Sequence, residues 1–134
     1  MVNSKLEILN PKQTLNSKSQ VTRYYDLGDR TFKFAKRVIK YVNQLPKTLS
    51  NIEIAKQLVR SSGSVGANYI EAEEALSRKD FAMRIKISKK ESKESKYWLG
   101  LSEPKDEQLD EKGVLIQEAT ELMKIFGSIT EKCK

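Results

Sequence analysis

Gln57-Leu58-Val59-Arg60-Ser61-Ser62-Gly63-Ser64-Val65-Gly66-Ala67-Asn68 is the stretch on which the reading of this chain turns. Its flanks have the spacing of a helix. The segment itself crowds in small side chains where a helix ordinarily carries Leu, Lys or Glu. A glycine in a helix interior costs about 1 kcal/mol relative to alanine, so Gly63 and Gly66 need a compensating reason. Close approach of a neighbouring helix supplies one. The stretch therefore predicts a tightly packed helical bundle, and it announces no reaction.

Working outward, the helix holding this stretch is expected over residues 50–76. Thr48 or Ser50 can cap it, and Ser50 with Glu53 has the Ser-x-x-Glu form of a capping box. Its core stripe reads Ile52, Ala55, Leu58, Val59, Ser62, Val65, Gly66, Tyr69 and Ile70. Before it, residues 29–44 form a first helix, capped by Asp26 or Asp29 and stopped by Pro46. At 100° per residue, Phe32, Phe34, Ala35, Val38, Ile39, Tyr41 and Val42 occupy one half of that helix. Arg30, Lys33, Lys36, Arg37 and Lys40 occupy the other.

After it, Ser77 caps a third helix over 78–101, with Asp80 three residues on. Phe81, Ile85, Ser88, Ser92, Ser95 and Leu99 form its seam, a heptad register with serines in the middle. Met83, Ile87, Trp98 and Leu101 widen the apolar side, and Lys79, Lys86, Lys89, Lys90, Lys93 and Lys96 share the opposite one. A fourth helix is expected over 111–130, burying Val114, Leu115, Ala119, Leu122, Met123, Ile125, Phe126 and Ile129, with Gly113 and Gly127 weakening its ends. Short connections favour antiparallel neighbours. The fold class is all-α: an up-down-up-down antiparallel four-helix bundle over residues 24–134, preceded by a polar, flexible tail over 1–23.

Ser62, Gly63 and Gly66 on the second helix and Ser88, Ser92 and Ser95 on the third are the expected close-packing residues. A serine hydroxyl in a helix can bond back to a carbonyl of the preceding turn, so burial leaves no orphan. Glu91 and Glu94 point towards the apolar side of the third helix, where a buried carboxylate needs a partner. Arg60 or Asn68 is the candidate for a buried polar network; the alternative is that both glutamates reach solvent at the helix border.

The formal charge of +7 is unevenly placed: +7 over residues 1–47, −2 over 48–77, +5 over 78–102 and −3 over 103–134. Such segregation fits polyanion binding. It equally fits subunits that attract one another through opposite faces.

The run Tyr25-Asp26-Leu27, the stretch Gln57 to Asn68, Glu71-Ala72 and Ser77-Arg78-Lys79-Asp80-Phe81 stand in a specific order. With Lys86-Ile87-Ser88, Lys90-Glu91, Glu94-Ser95 and Tyr97-Trp98-Leu99, the chain resembles the four-helix-bundle family named for proteins encoded in 23S ribosomal RNA intervening sequences. The match covers Tyr24 to Ser102, with the fourth helix fitting by pattern alone. The resemblance implies a small bacterial bundle assembled with itself as a homo-oligomer, a ring-shaped pentamer. A related member is the accessory variability determinant of diversity-generating retroelements, a basic barrel that binds nucleic acid and a reverse transcriptase. A protein partner of that kind is therefore implied as well.

Chemistry is sparsely provided. Histidine is absent and cysteine occurs once, as Cys133. That removes the commonest general base and the His-paired nucleophiles. It also removes thiolate zinc sites and the Glu-x-x-His pairs of di-iron bundles. Glu71, Glu73 and Glu74 with Glu91 and Glu94 could hold a hard cation, but a solvated helix end explains them better. Ser61 to Gly66 lacks the Gly-Lys-Ser/Thr ending of a phosphate loop. No cofactor and no metal are expected. A lone cysteine fits a reducing cytoplasm, no apolar run suffices to span a membrane, and the N-terminus has no apolar core of a secretory signal.

The expectation is thus a non-enzymatic homo-oligomer. Its two lysine- and arginine-bearing helix faces, the first and the third, bind RNA or DNA weakly and without sequence preference, as counterion release on the phosphate backbone allows. The competing reading is a structural adaptor for a protein partner, anchored by Trp98, Tyr97 and Tyr69, in which the lysines only solubilise exposed faces.

Overall fold

The computed structural model describes residues 26–134. The segment 1–23 expected to be a tail, together with Tyr24 and Tyr25, lies outside them. Four helices follow: α1 Leu27–Asn43, α2 Leu49–Glu73, α3 Arg78–Leu101 and α4 Leu109–Lys132. A 3-10 turn, Asp106–Gln108, leads into α4. No strand occurs among the described residues.

The pairing register makes the topology explicit. Gly66 of α2 lies against Thr31 of α1, and Gly28 lies near Tyr69. Ser61 and Val65 of α2 meet Ser95 and Ser88 of α3. Gly127 of α4 lies beside Lys89 of α3, and Lys112 reaches the Gly100 carbonyl. Arg30 and Arg37 of α1 meet Glu118 and Glu111 of α4. In every pair numbers rise along one helix and fall along the other. The chain is an all-α, up-down-up-down four-helix bundle, closed by α4 against α1.

Local chemistry sets the helix ends. Ser77 caps α3 by accepting from the Asp80 amide at 3.1 Å. For α2 the cap is Thr48, which accepts from the Asn51 amide at 3.2 Å. Ser50 and Glu53 form no capping box, because the helix already begins at Leu49 and Ser50 is inside it. Glu53 pairs instead with Lys56. α2 stops at Glu73 rather than near residue 76. α4 runs on through both Gly113 and Gly127.

Phe34, Val38 and Tyr41 of α1, Leu58, Val65 and Tyr69 of α2, Phe81, Ile85 and Leu99 of α3, and Leu115, Leu122 and Phe126 of α4 meet in the core. The inward arc of each helix is narrower than its apolar half. Phe32 and Ile39 on α1, Ile52, Val59 and Ile70 on α2, Met83 and Leu101 on α3, and Val114 on α4 are exposed, contrary to their expected core positions. Thr31 and Ser61 take inward places instead. The Thr31 hydroxyl donates to the Leu27 carbonyl at 2.8 Å, so its burial leaves no orphan.

At one end of the bundle buried polar groups tie the loops together. The Asn51 amide donates to the carbonyls of Pro46 and Glu103 and accepts from the Glu103 amide. Gln108 donates to the Tyr41 carbonyl, and the Tyr41 hydroxyl bonds Ser102 at 2.7 Å. These contacts fix the exit of α3, where its exposed face ends.

Candidate nucleic-acid interface

The outer face of α3 carries the clearest candidate. At 100° per residue, Lys79, Lys86, Lys90, Lys93 and Tyr97 fall within an arc of about 60°. Lys89 and Lys96 lie to one side, towards α4, where the Lys89 stem runs along Gly127. None of the six lysines makes an ion pair among the described residues. All but Lys96 are exposed, and Lys96 is half-buried. With a rise of 1.5 Å per residue the row spans about 25 Å. The inward side of the helix explains this segregation, because Phe81, Ile85, Ser88, Ser92, Ser95 and Leu99 are all buried.

The first helix presents a different picture. Arg30 Nε lies 2.7 Å from Glu118 Oε2, and its NH2 lies 2.9 Å from Glu118 Oε1 and 2.8 Å from Glu121 Oε1. Arg37 clamps Glu111 in the same two-pronged way, at 3.0 and 2.6 Å. Hydrogen bonding to Glu118 and Glu111 respectively raises both guanidinium pKa values. Lys33 is paired with Asp29 at 2.8 Å, and Lys36 sits over the Phe32 ring at 5.7 Å. Lys40 is exposed and makes no ion pair among the described residues. Of the five basic residues expected to form a binding face on the first helix, Arg30, Lys33 and Arg37 are thus already held by carboxylates. Two arginines seven residues apart meet two glutamates seven residues apart on the antiparallel α4. The attraction between basic and acidic helices is satisfied inside one chain here.

The small residues also divide differently from expectation. Ser62, Ser88, Ser92 and Ser95 are buried. Ser88 donates across to the Val65 carbonyl at 2.9 Å, and Ser95 Oγ lies 2.9 Å from Ser61 Oγ. Ser92 and Ser62 bond back to the carbonyls of Ser88 and Val59. Gly66 packs against Thr31 of α1, not against α3. Among the described residues a Cβ at Gly63 would meet nothing within 4 Å, so Gly63 makes no close helix contact among them. Ser61 is fully buried between α2 and α3. Sequence reasoning misses it, because one helical wheel does not reveal which small residue faces which neighbour.

Arg60 reaches Glu91 at 3.4 Å and also bonds Glu94. Glu94 in turn accepts from Trp98 Nε1 at 2.9 Å. That hydrogen bond, with Arg60 behind it, holds the Glu94 carboxyl below its ordinary pKa. Asn68 does not join this group. It donates to the Ser64 carbonyl and accepts from Arg84 at 3.0 Å, a partner that the sequence does not suggest. Among the described residues, no three acidic or cysteine side chains converge to hold a metal ion. No helix among them is long and apolar enough to cross a membrane.

A family model described as 23S rRNA-intervening sequence protein matches residues 24–128. A crystal structure from Bacteroides thetaiotaomicron, described as a protein of unknown function from the S23 ribosomal protein family, superposes with a TM-score of 0.67 at 34% identity. It covers 77% of this chain and 96% of its own. No curated protein matches.

Proposed function

The chain belongs to the 23S rRNA-intervening sequence protein family, and from that premise we propose that it is a non-enzymatic, self-associating bundle that holds nucleic acid through the lysine face of α3. The observation that carries this reading is the row Lys79, Lys86, Lys89, Lys90, Lys93 and Lys96, which makes no ion pair among the described residues. Each phosphate that displaces counterions steepens the fall of affinity with salt. With about four lysines on phosphates at once, a single strand binds with a log–log salt slope near −3, roughly fiftyfold between 50 and 200 mM salt. No Asn, Gln or Arg constellation reads bases along this row, so the binding is tolerant of sequence. Lys36 and Lys40 of α1 are subsidiary, since the α1 arginines are held by α4.

Self-association, as the pentamer expected from the resemblance, is supported by the exposed apolar residues Phe32, Ile39, Ile52, Val59 and Ile70 on α1 and α2. A ring would repeat the α3 face and multiply weak contacts by avidity. The same apolar residues favour a second reading, an adaptor that holds a protein partner such as a reverse transcriptase.

Light scattering coupled to size exclusion, with and without a short RNA at low and physiological salt, separates these readings. An assembly that gains mass with RNA and sheds it as salt rises fits the lysine face. An assembly indifferent to RNA at every salt transfers the function to protein contacts.

A further inference from the structure

Tyr97 lies on the midline of the α3 lysine row, near its C-terminal end, and 60% of it is exposed. A tyrosine buried for packing would not be left out there. Its ring meets the Trp98 ring edge-on, with centroids 5.1 Å apart and planes at 75°. Beside it opens a recess of about 510 Å³ lined by Lys93, Lys96, Tyr97, Gly100, Leu101 and Met123. Among the described residues no acidic side chain lines this recess. At Gly100, one of its lining residues, a Cβ would meet nothing within 4 Å among the described residues. An exposed aromatic ring with two lysines and two apolar side chains lining the same recess is the combination that receives an unpaired base while its phosphates stay on lysine.

We propose that Tyr97 is a stacking platform for one unpaired base of single-stranded nucleic acid, with Lys93 and Lys96 holding the flanking phosphates. This rests on the lysine-face reading and adds to it a preference for single strands over duplex. Duplex bases are already stacked, and they cannot enter the recess without unpairing.

Labelled oligothymidylate and a labelled DNA duplex of equal length, titrated by fluorescence anisotropy, test it. Tyr97→Ala is expected to weaken oligothymidylate binding about tenfold, with duplex affinity and both salt slopes unchanged. Tyr97→Phe, which keeps the ring, is expected to bind as the parent does. Trp98 is the chain's one tryptophan, so quenching of its emission by oligothymidylate, and not by duplex, is a second expected result. Both variants are checked by circular dichroism; an exposed side chain leaves the fold intact. If Tyr97→Ala binds oligothymidylate as tightly as the parent and the salt slope is unchanged, the platform is refuted while the lysine face stands. If no strand binds at low salt, both fail together. A change in the mass of the protein alone in Tyr97→Ala makes this recess a contact between copies, and also overturns the proposal.

Discussion

Replacing Gly66 and Gly63 separately by alanine distinguishes a close helix approach from an accident of composition. Both residues lie inside α2, so each substitution gains the same helix-propensity benefit, about 1 kcal/mol. Their surroundings differ. A Cβ on Gly66 would stand 2.9 Å from Thr31 Oγ1 and 3.3 Å from Thr31 Cβ, whereas one on Gly63 meets nothing within 4 Å. Carbon atoms pack comfortably at about 3.5–4.0 Å. Thr31 therefore has to retreat, and it is 1% exposed and bonded through its hydroxyl to the Leu27 and Gly28 carbonyls. Overpacking of this kind costs about 1–3 kcal/mol. Gly63→Ala is then expected to stabilise the bundle by about 1 kcal/mol, and Gly66→Ala to leave it unchanged or destabilise it by up to about 2 kcal/mol. The difference between the two, in which propensity cancels, reads the contact itself. Urea unfolding followed by circular dichroism, at several protein concentrations to separate folding from assembly, supplies both numbers. Thr31→Ala combined with Gly66→Ala removes the 2.9 Å contact, so the pair is expected to be more stable than the sum of the single changes by about 1–2 kcal/mol. Equal stabilisation by the two single alanines would refute the packing of α1 against Gly66.

Three further outcomes follow from the charged residues. Lys86→Ala with Lys93→Ala is expected to flatten the salt slope for single strands by about 1.4 at unchanged stability; an unaltered slope in anisotropy titrations places the nucleic acid elsewhere. Lys33→Glu with Arg37→Glu sets a second carboxylate against Glu111 where a guanidinium had clamped it, so the pair is expected to lower stability by about 1 kcal/mol with little effect on binding. Adding Glu111→Lys should restore the urea midpoint, and lost binding at unchanged stability would return the interface to α1. Glu94 titrates below its ordinary value because Trp98 and Arg60 bond its ionised form. A depressed folded value contributes stability above the unfolded carboxylate pKa, about 4.3, and loses it as pH falls through the lower folded value. The urea midpoint of the parent should therefore drop more steeply below about pH 4.3 than that of Glu94→Gln, and parallel curves would contradict the pairing.

The helices are legible in the sequence because their signals are local. The α3 seam of Phe81, Ile85, Ser88, Ser92, Ser95 and Leu99 is buried throughout, and the Ser77 cap sits where its spacing to Asp80 places it. The width of each buried arc is less legible. A wheel cannot tell an apolar residue that faces a neighbour from one that faces outward, so it puts Phe32 and Ile39 in a core they do not enter. Ser50 misleads for a related reason. Its capping-box pattern with Glu53 competes with Thr48, and only the extended backbone at Thr48 decides between them.

The lysine and arginine rows show why a site is harder to read than a fold. On their own helices the two rows are alike in charge and spacing. What separates them is the neighbour: α4 presents Glu111 and Glu118 in antiparallel register with Arg37 and Arg30, whereas among the described residues the α3 lysines make no ion pair. The relevant pattern is present in the sequence as a seven-residue interval on each of two helices that any four-helix bundle brings together at its closure. It becomes visible only when charges are compared between helices in register. Among the described residues no acidic helix faces Lys79, Lys86 or Lys93, and Tyr97 is exposed among them. A row that makes no ion pair among the described residues is where an external polyanion gains most, because binding it displaces no ion pair already made.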